Sequence, residues 1–182
     1  MRDASLEAMV RLVERLKEEG LECSSFGIGS TPSCSHPTDK FQSVTELHPG
    51  NYVFYDHQQL LLGSCSPGDI AGKIITRVIG HYPRRGQMLV DCGFTAITKQ
   101  GQGSQNPASM IAPVEGHPQL MLSNMTQEIG FIETRDQEQH LDFEMFPIGT
   151  ILTLLPYHSC SSGIPVLTQF SPPLLDHSSR LP

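Results

Sequence analysis

A histidine and a cysteine two residues apart, His158 and Cys160, are the side chains of this sequence best suited to chemistry. They follow a short apolar run, residues 151–155, that predicts a buried strand. Alternate side chains of an extended segment point the same way, so both are expected to face one spot beyond the strand end. Imidazole and thiolate together suit zinc, and two ligands leave the open positions that a catalytic metal needs. An isolated pair of this kind is often simply buried at a strand end, and that alternative stays open here.

A short loop rich in glycine and hydroxyl groups is the second candidate site. Gly29, Ser30 and Thr31 follow a predicted strand. Glycine lets the backbone approach a ligand closely, and successive amides with two hydroxyls could cradle a phosphate. Loops of this composition are usually ordinary turns, and this one matches neither the Walker nor the dinucleotide pattern.

Composition limits the remaining classes of function. The 182 residues suffice for one ordinary domain, and the net charge is −7. Lysine and arginine are scattered rather than clustered, which argues against nucleic-acid binding. No apolar run reaches membrane-spanning length, so we expect no membrane partner. The five cysteines are odd in number and not closely paired, which favours reduced thiols and a cytoplasmic location.

The periodicity of apolar residues predicts the elements that position these sites. A helix is predicted over residues 5–19, then a strand over 21–28 that leads into the glycine loop. From about residue 40 the pattern changes to short strands separated by Gly and Pro turns: 51–56, 73–79, 87–92, 120–122, 129–134 and 150–155. The fold class is therefore predicted as mainly β, an antiparallel barrel or sandwich preceded by one α/β piece.

Several blocks of the sequence together resemble the eukaryotic D-serine dehydratases, within the D-threonine aldolase and alanine racemase-like group of fold-type III pyridoxal-phosphate enzymes. The blocks with the most specific pattern are Tyr-Val-Phe-Tyr-Asp at residues 52–56 and Pro-Tyr-His-Ser-Cys at residues 156–160. Weaker blocks support them at residues 29–33, 46–51, 78–83, 91–93, 116–117, 126–128 and 146–149. The resemblance covers residues 5–160, which correspond to about the second half of a family member.

The resemblance implies a (β/α)₈ barrel followed by a β domain. Residues 1–38 would be the last α/β piece of the barrel, 39–160 the dehydratase-like β domain, and 161–182 a divergent, proline-rich and poorly ordered tail. It also implies that the loop of Gly29, Ser30 and Thr31 holds the phosphate of pyridoxal 5'-phosphate. The reaction implied is that of a lyase, removal of water from D-serine to give pyruvate and ammonia, in a homodimer.

The same resemblance assigns zinc to His158 and Cys160, close to the substrate hydroxyl. A cysteine as the second ligand favours the dehydratases over the aldolases, which use a carboxylate there. Zinc as a Lewis acid would make that hydroxyl a better leaving group. His117, in the turn that starts at Gly116, is the best candidate for a further site residue.

Three departures from the family pattern bear on activity. The early barrel strands and the lysine that binds the cofactor are absent, Ile129 stands where relatives often have histidine, and the tail replaces closing strands. We therefore expect a fragment that is inactive alone and a β domain with open strand edges. The alternatives are a catalytically dead binding or regulatory domain that pairs with full-length subunits, and, less favoured, a structural zinc protein.

Overall fold

The computed structural model describes residues 2–136 and 138–162 of the chain, which forms two compact units, residues 1–71 and 72–182. The helices are α1 (Arg2–Glu18), α2 (Thr31–Ser35) and α3 (His57–Leu61). The strands are β1 (Gly27–Ile28), β2 (Glu46–Leu47), β3 (Ile74–Tyr82), β4 (Gln87–Val90), β5 (Ala112–Val114), β6 (His117–Met125), β7 (Gly130–Thr134) and β8 (Ile151–Leu154). Most of the predicted tail, from residue 163 onward, lies outside the described residues.

The first unit begins with the predicted helix and contains a parallel strand pair. Helix α1 confirms the periodicity, and Leu6 on its apolar face is buried. Strand β1 runs parallel to β2, with Gly27 opposite Glu46. Residues 21–25 are exposed and irregular, so the strand predicted over 21–28 is reduced to its last two residues. Parallel pairing after a helix agrees with the predicted α/β piece. Among the described residues no helix is both long and apolar enough to cross a membrane.

The strand predicted over residues 51–56 is wrong. Asn51–Val53 form a 3₁₀ turn, and Tyr55 has a positive φ of 51°. Asp56 then caps α3 by accepting a hydrogen bond from the Gln59 amide at 2.9 Å. The aromatic residues have high β propensity, but the capping carboxylate offers the backbone a competing local structure that prevails.

The second unit is a closed barrel of six antiparallel strands in the order β3, β4, β7, β6, β5, β8. The predicted mainly β fold is confirmed, and of the two predicted alternatives, barrel and sandwich, the structure shows the barrel. Alternate residues point inward and are fully buried, among them Val78, Met88, Val90, Leu122 and Ile132. This alternation is the period of two that a sheet with one face on the core requires. The barrel interior is therefore a packed hydrophobic core.

Strand β8 closes the barrel and leads directly to the candidate metal ligands. It pairs with β3 along residues 74–77 and with β5 at Val114 and Leu154. The Glu115 amide also donates to the Thr153 carbonyl at 2.8 Å. The open strand edges expected from the sequence are thus wrong, because β8 is paired on both sides and closure removes the edges.

The cysteines differ in their exposure to solvent, and we expect them to differ in reactivity accordingly. Cys23 and Cys160 are exposed, whereas Cys92 is 1% exposed in the barrel core. Burial, with a smaller contribution from Asp91, raises the pKa of the Cys92 thiol from 9.0 to about 11. We expect iodoacetamide at pH 8 to label Cys23 and Cys160 rapidly and Cys92 only after unfolding, as peptide mass spectrometry would show.

The raised pKa of Cys92 makes the free energy of unfolding depend on pH in the alkaline range. The unfolded chain loses the Cys92 proton before the folded chain does, so the free energy of unfolding falls as pH rises from 9.0 toward about 11. Urea unfolding of Cys92→Ala, compared with the wild type across this range, checks the sign. An equal pH slope in both proteins would contradict the assignment.

Candidate metal and phosphate sites

The segment that carries the predicted metal ligands is fixed to the barrel by backbone hydrogen bonds. Beyond β8, the Leu155 amide donates to the Pro113 carbonyl at 3.1 Å and the Tyr157 amide to the Ile111 carbonyl at 3.2 Å. The chain therefore stays alongside β5 up to residue 157. The position of the His158 backbone follows from this ladder.

The alternation argument for the two ligands is wrong beyond His158. Residues 159–162 form a helical turn, closed by a hydrogen bond from the Ser162 amide to the His158 carbonyl at 3.2 Å. Positions two apart share a face in a strand but not in a helical turn. His158 is half-buried and Cys160 is exposed with a free thiol.

The imidazole of His158 is held at its Nδ1 atom. Its Nδ1 lies 2.7 Å from Oε1 of Gln100, which also accepts a hydrogen bond from Ser161 Oγ at 3.0 Å. A carbonyl oxygen can only accept, so this contact is a hydrogen bond in the tautomer that has the proton on Nδ1 and the lone pair on Nε2. A metal-ligating histidine has this arrangement, so the ring fits a zinc ligand.

The donor set around the pair is small. Within residues 2–136 and 138–162, no group of three or more His, Cys, Asp or Glu side chains converges in a way that could hold a metal. The predicted pair would therefore supply two ligands, one nitrogen and one sulfur. The chemistry of these two donors fits zinc, with positions left for water or substrate.

Two other histidines of this unit serve packing. His81 Nε2 lies 2.7 Å from the Phe146 carbonyl oxygen, and its ring lies 5.1 Å from the Phe143 ring. The His117 ring meets the Phe146 ring edge-on at 4.9 Å. His117, predicted as a further site residue, thus contacts the aromatic side chain of Phe146, and its role in the site stays a prediction.

The predicted phosphate loop lies between β1 and α2. A Cβ on Gly29 would lie 2.5 Å from the backbone nitrogen of His48, so this glycine is required by close packing against the next segment. Its φ is not in the left-handed region. Ser30 is exposed, with its hydroxyl 3.0 Å from that of Ser33. Thr31 is 3% exposed, and its hydroxyl accepts a hydrogen bond from the Tyr52 amide at 3.0 Å.

These contacts divide the roles within the loop. The Thr31 hydroxyl holds the loop to the following segment, and Ser30 leaves its hydroxyl at the surface. The loop fits a phosphate through Ser30 and the exposed backbone at Gly29. Gly29, Ser30 and Thr31 belong to residues 1–71, and His158 and Cys160 belong to residues 72–182.

Three of the four lysines of the chain have other partners or surroundings. Lys73 Nζ donates to Glu115 Oε1 at 2.6 Å, and Lys99 Nζ donates to Asn124 Oδ1 at 2.6 Å. Lys17 is exposed on α1.

Gln100 is the site residue that sequence reasoning missed. It lies in the polar stretch of residues 99–110, whose composition predicts only a surface loop. Its partner His158 lies 58 positions away. A single sequence carries no signal for such a contact.

Comparison with known proteins shows which family this chain matches. The family model described as "Putative serine dehydratase domain" matches residues 71–164, more than half of the chain. The D-serine dehydratase of Dictyostelium discoideum is 34% identical over 154 residues, which are 81% of this chain and 39% of that protein. The D-threo-3-hydroxyaspartate dehydratase of Delftia sp. is 32% identical over 161 residues, which are 85% of this chain and 42% of that protein.

Solved structures of proteins in the same group superpose well on this chain. A D-threo-3-hydroxyaspartate dehydratase carrying a histidine-to-alanine change superposes with a TM-score of 0.76 at 28% identity, over 91% of this chain and 46% of that chain. A second variant of a protein of this name, with a cysteine-to-alanine change and in the metal-free form, gives a TM-score of 0.75 at 26% identity, over 90% of this chain and 45% of that one. The two substituted positions are two residues apart.

The fold is therefore that of the carboxy-terminal part of these dehydratases, an α/β piece followed by a closed antiparallel barrel. The chain belongs to the family of the serine dehydratase domain. It spans about two fifths of the length of the curated relatives it matches. The resemblance found from the sequence is confirmed, and the predicted site residues stay predictions.

Proposed function

We propose that this chain is the carboxy-terminal portion of a lyase that removes water from a small D-amino acid, with D-serine as the substrate. His158 and Cys160 bind zinc in this proposal, and Gly29, Ser30 and Thr31 hold the phosphate of pyridoxal 5'-phosphate. When bound, pyridoxal phosphate supplies an electron sink for loss of the α-proton, and zinc supplies a Lewis acid for the β-hydroxyl.

One observation carries the metal assignment. His158 presents Nε2 while Gln100 occupies Nδ1. In support, the variants of the related dehydratase replace a histidine and a cysteine at the same spacing, and the cysteine variant is described as metal-free. Cys160 is an exposed free thiol, and a thiol binds metal in its thiolate form.

The phosphate assignment rests on the resemblance and on the geometry of the loop. Ser30 offers an exposed hydroxyl as donor, and Thr31 keeps the loop in place through Tyr52. In this proposal residues 1–38 form the phosphate-binding piece and residues 39–160 the dehydratase-like β domain. That division stays a prediction, and the compact units meet between residues 71 and 72.

We further propose that the 182 residues alone do not catalyse. Lys73 and Lys99 are engaged by Glu115 and Asn124, and Lys17 lies exposed on a helix. The cofactor needs a lysine amine for covalent attachment. A homodimer of the complete protein, located in the cytoplasm as the five free cysteines favour, completes the proposal.

The decisive experiment uses the native protein captured from its source with an antibody against residues 40–160. Its intact mass is measured, and the captured material is assayed for pyruvate from D-serine and for oxaloacetate from D-threo-3-hydroxyaspartate. Pyruvate release by a species well above 20.0 kDa supports the proposal. Oxaloacetate alone would move the substrate to the second amino acid. A single 20.0 kDa species with neither product would leave the binding or regulatory alternative.

A further inference from the structure

The contact between Gln100 and His158 is built into the fold. Gln100 lies at the start of a loop that crosses the segment carrying the metal ligands. At Gly101, with φ of +97°, a Cβ would lie 2.6 Å from the Tyr157 ring and 2.4 Å from the Met110 carbonyl oxygen. The loop can therefore pass this close only with glycine at that position. Close packing next to Gln100 and next to His158 holds the backbones of these two residues near one another.

A second set of contacts surrounds the Gln100 amide. Its Oε1 accepts hydrogen bonds from Ser161 Oγ at 3.0 Å and from His158 Nδ1 at 2.7 Å. Ser161 Oγ also lies 3.2 Å from the His158 carbonyl and 3.5 Å from Thr98 Oγ1. Ser161 thus contacts both Gln100 and His158. With the oxygen facing the imidazole, the ring can bond only through an N–H at Nδ1.

We infer that Gln100 is a positioning residue of the metal centre: it fixes His158 in the tautomer that directs the Nε2 lone pair outward. This inference rests on the proposed function for the metal itself. A neutral imidazole free in water populates both tautomers. Only a fraction of the molecules then has the lone pair on Nε2, where the proposed metal would bind. Partners of this kind commonly contribute 10–100-fold to metal affinity. Because Gln100 is exposed, we expect the lower end, about tenfold.

The first test is zinc affinity of the full chain, measured by competition with a chromophoric chelator. Gln100→Leu removes the acceptor and is expected to weaken zinc binding about tenfold. Gln100→Glu keeps an oxygen acceptor toward Nδ1 and is expected to bind zinc about as tightly as the wild type. Gln102→Leu, an exposed glutamine in the same loop, is the matched control and is expected to leave the affinity unchanged. Equal weakening by all three variants would mean a general loop effect and would overturn the inference.

The second test needs no metal. ¹⁵N NMR of the neutral His158 ring in the metal-free chain reports which nitrogen carries the proton. We expect the Nδ1–H form in the wild type and in Gln100→Glu, and a mixture in Gln100→Leu. An Nε2–H form in the wild type would mean that the amide nitrogen faces the ring, and would overturn the inference. A wild type that binds no zinc yet shows the Nδ1–H form would refute the proposed metal centre while supporting the hold of Gln100 on His158.

Discussion

Replacing His158 with alanine is expected to abolish zinc binding by this chain. The described residues offer no cluster of three or more metal-binding side chains, so the proposed centre has one nitrogen and one sulfur ligand from the protein. Loss of one of two ligands leaves a lone thiolate that competes poorly with buffer and water for the metal. We expect the stoichiometry of bound zinc, measured by inductively coupled plasma mass spectrometry after dialysis, to fall from near one to near zero.

The control is His140→Ala, which removes an exposed histidine from the same unit. It is expected to keep the zinc of the wild type and so to account for nonspecific binding to surface imidazoles. Cobalt substitution gives an independent signal, because a thiolate bound to Co²⁺ produces an intense ultraviolet charge-transfer band. That band should be present in the wild type and in His140→Ala and absent in Cys160→Ala. Stoichiometric zinc retained by His158→Ala would refute the assignment.

The metal site shows which part of a site a single sequence reveals. The residue types and spacing of His158 and Cys160 identify a donor set suited to zinc, because donor chemistry depends on the side chains alone. Their relative orientation depends on whether the backbone is extended, and the helical turn at residues 159–162 changes it. Gln100 was missed because its contact with His158 spans 58 positions.

The fold, like the metal site, is predictable from the sequence only in part. Strands with clear alternation, such as β3 and β4, are predicted because one face of each is buried in the barrel core. Strand β5 was missed because it has three residues, one of them Pro113. It is a strand through pairing with β6 and β8, which is tertiary context. Barrel closure likewise depends on pairing between distant strands, which the composition of each strand does not specify.

Asp56 caps α3 at the end of the segment, residues 51–56, for which a strand was predicted, and its removal is expected to destabilise the protein strongly. Its carboxylate is completely buried and accepts hydrogen bonds from the Gln59 amide at 2.9 Å and from the Asn51 side-chain amide. Asp56→Ala removes the cap of α3, worth about 1 kcal/mol. It also takes the acceptor away from a buried amide, which costs about 1–3 kcal/mol. We expect a loss of about 2–4 kcal/mol in the free energy of unfolding, measured by urea denaturation and circular dichroism.

Asp69 provides the matched control within the same unit. Its carboxylate also caps a short turn, accepting from the Ser66 amide at 2.8 Å and the Ser66 hydroxyl at 2.6 Å, but in an exposed position. These bonds lower the pKa of the Asp69 carboxyl, the side-chain bond more than the backbone bond. Water can replace them when the carboxylate is removed, so Asp69→Ala is expected to be clearly less destabilising than Asp56→Ala. Equal effects of the two variants would show that burial of Asp56 contributes nothing beyond its cap.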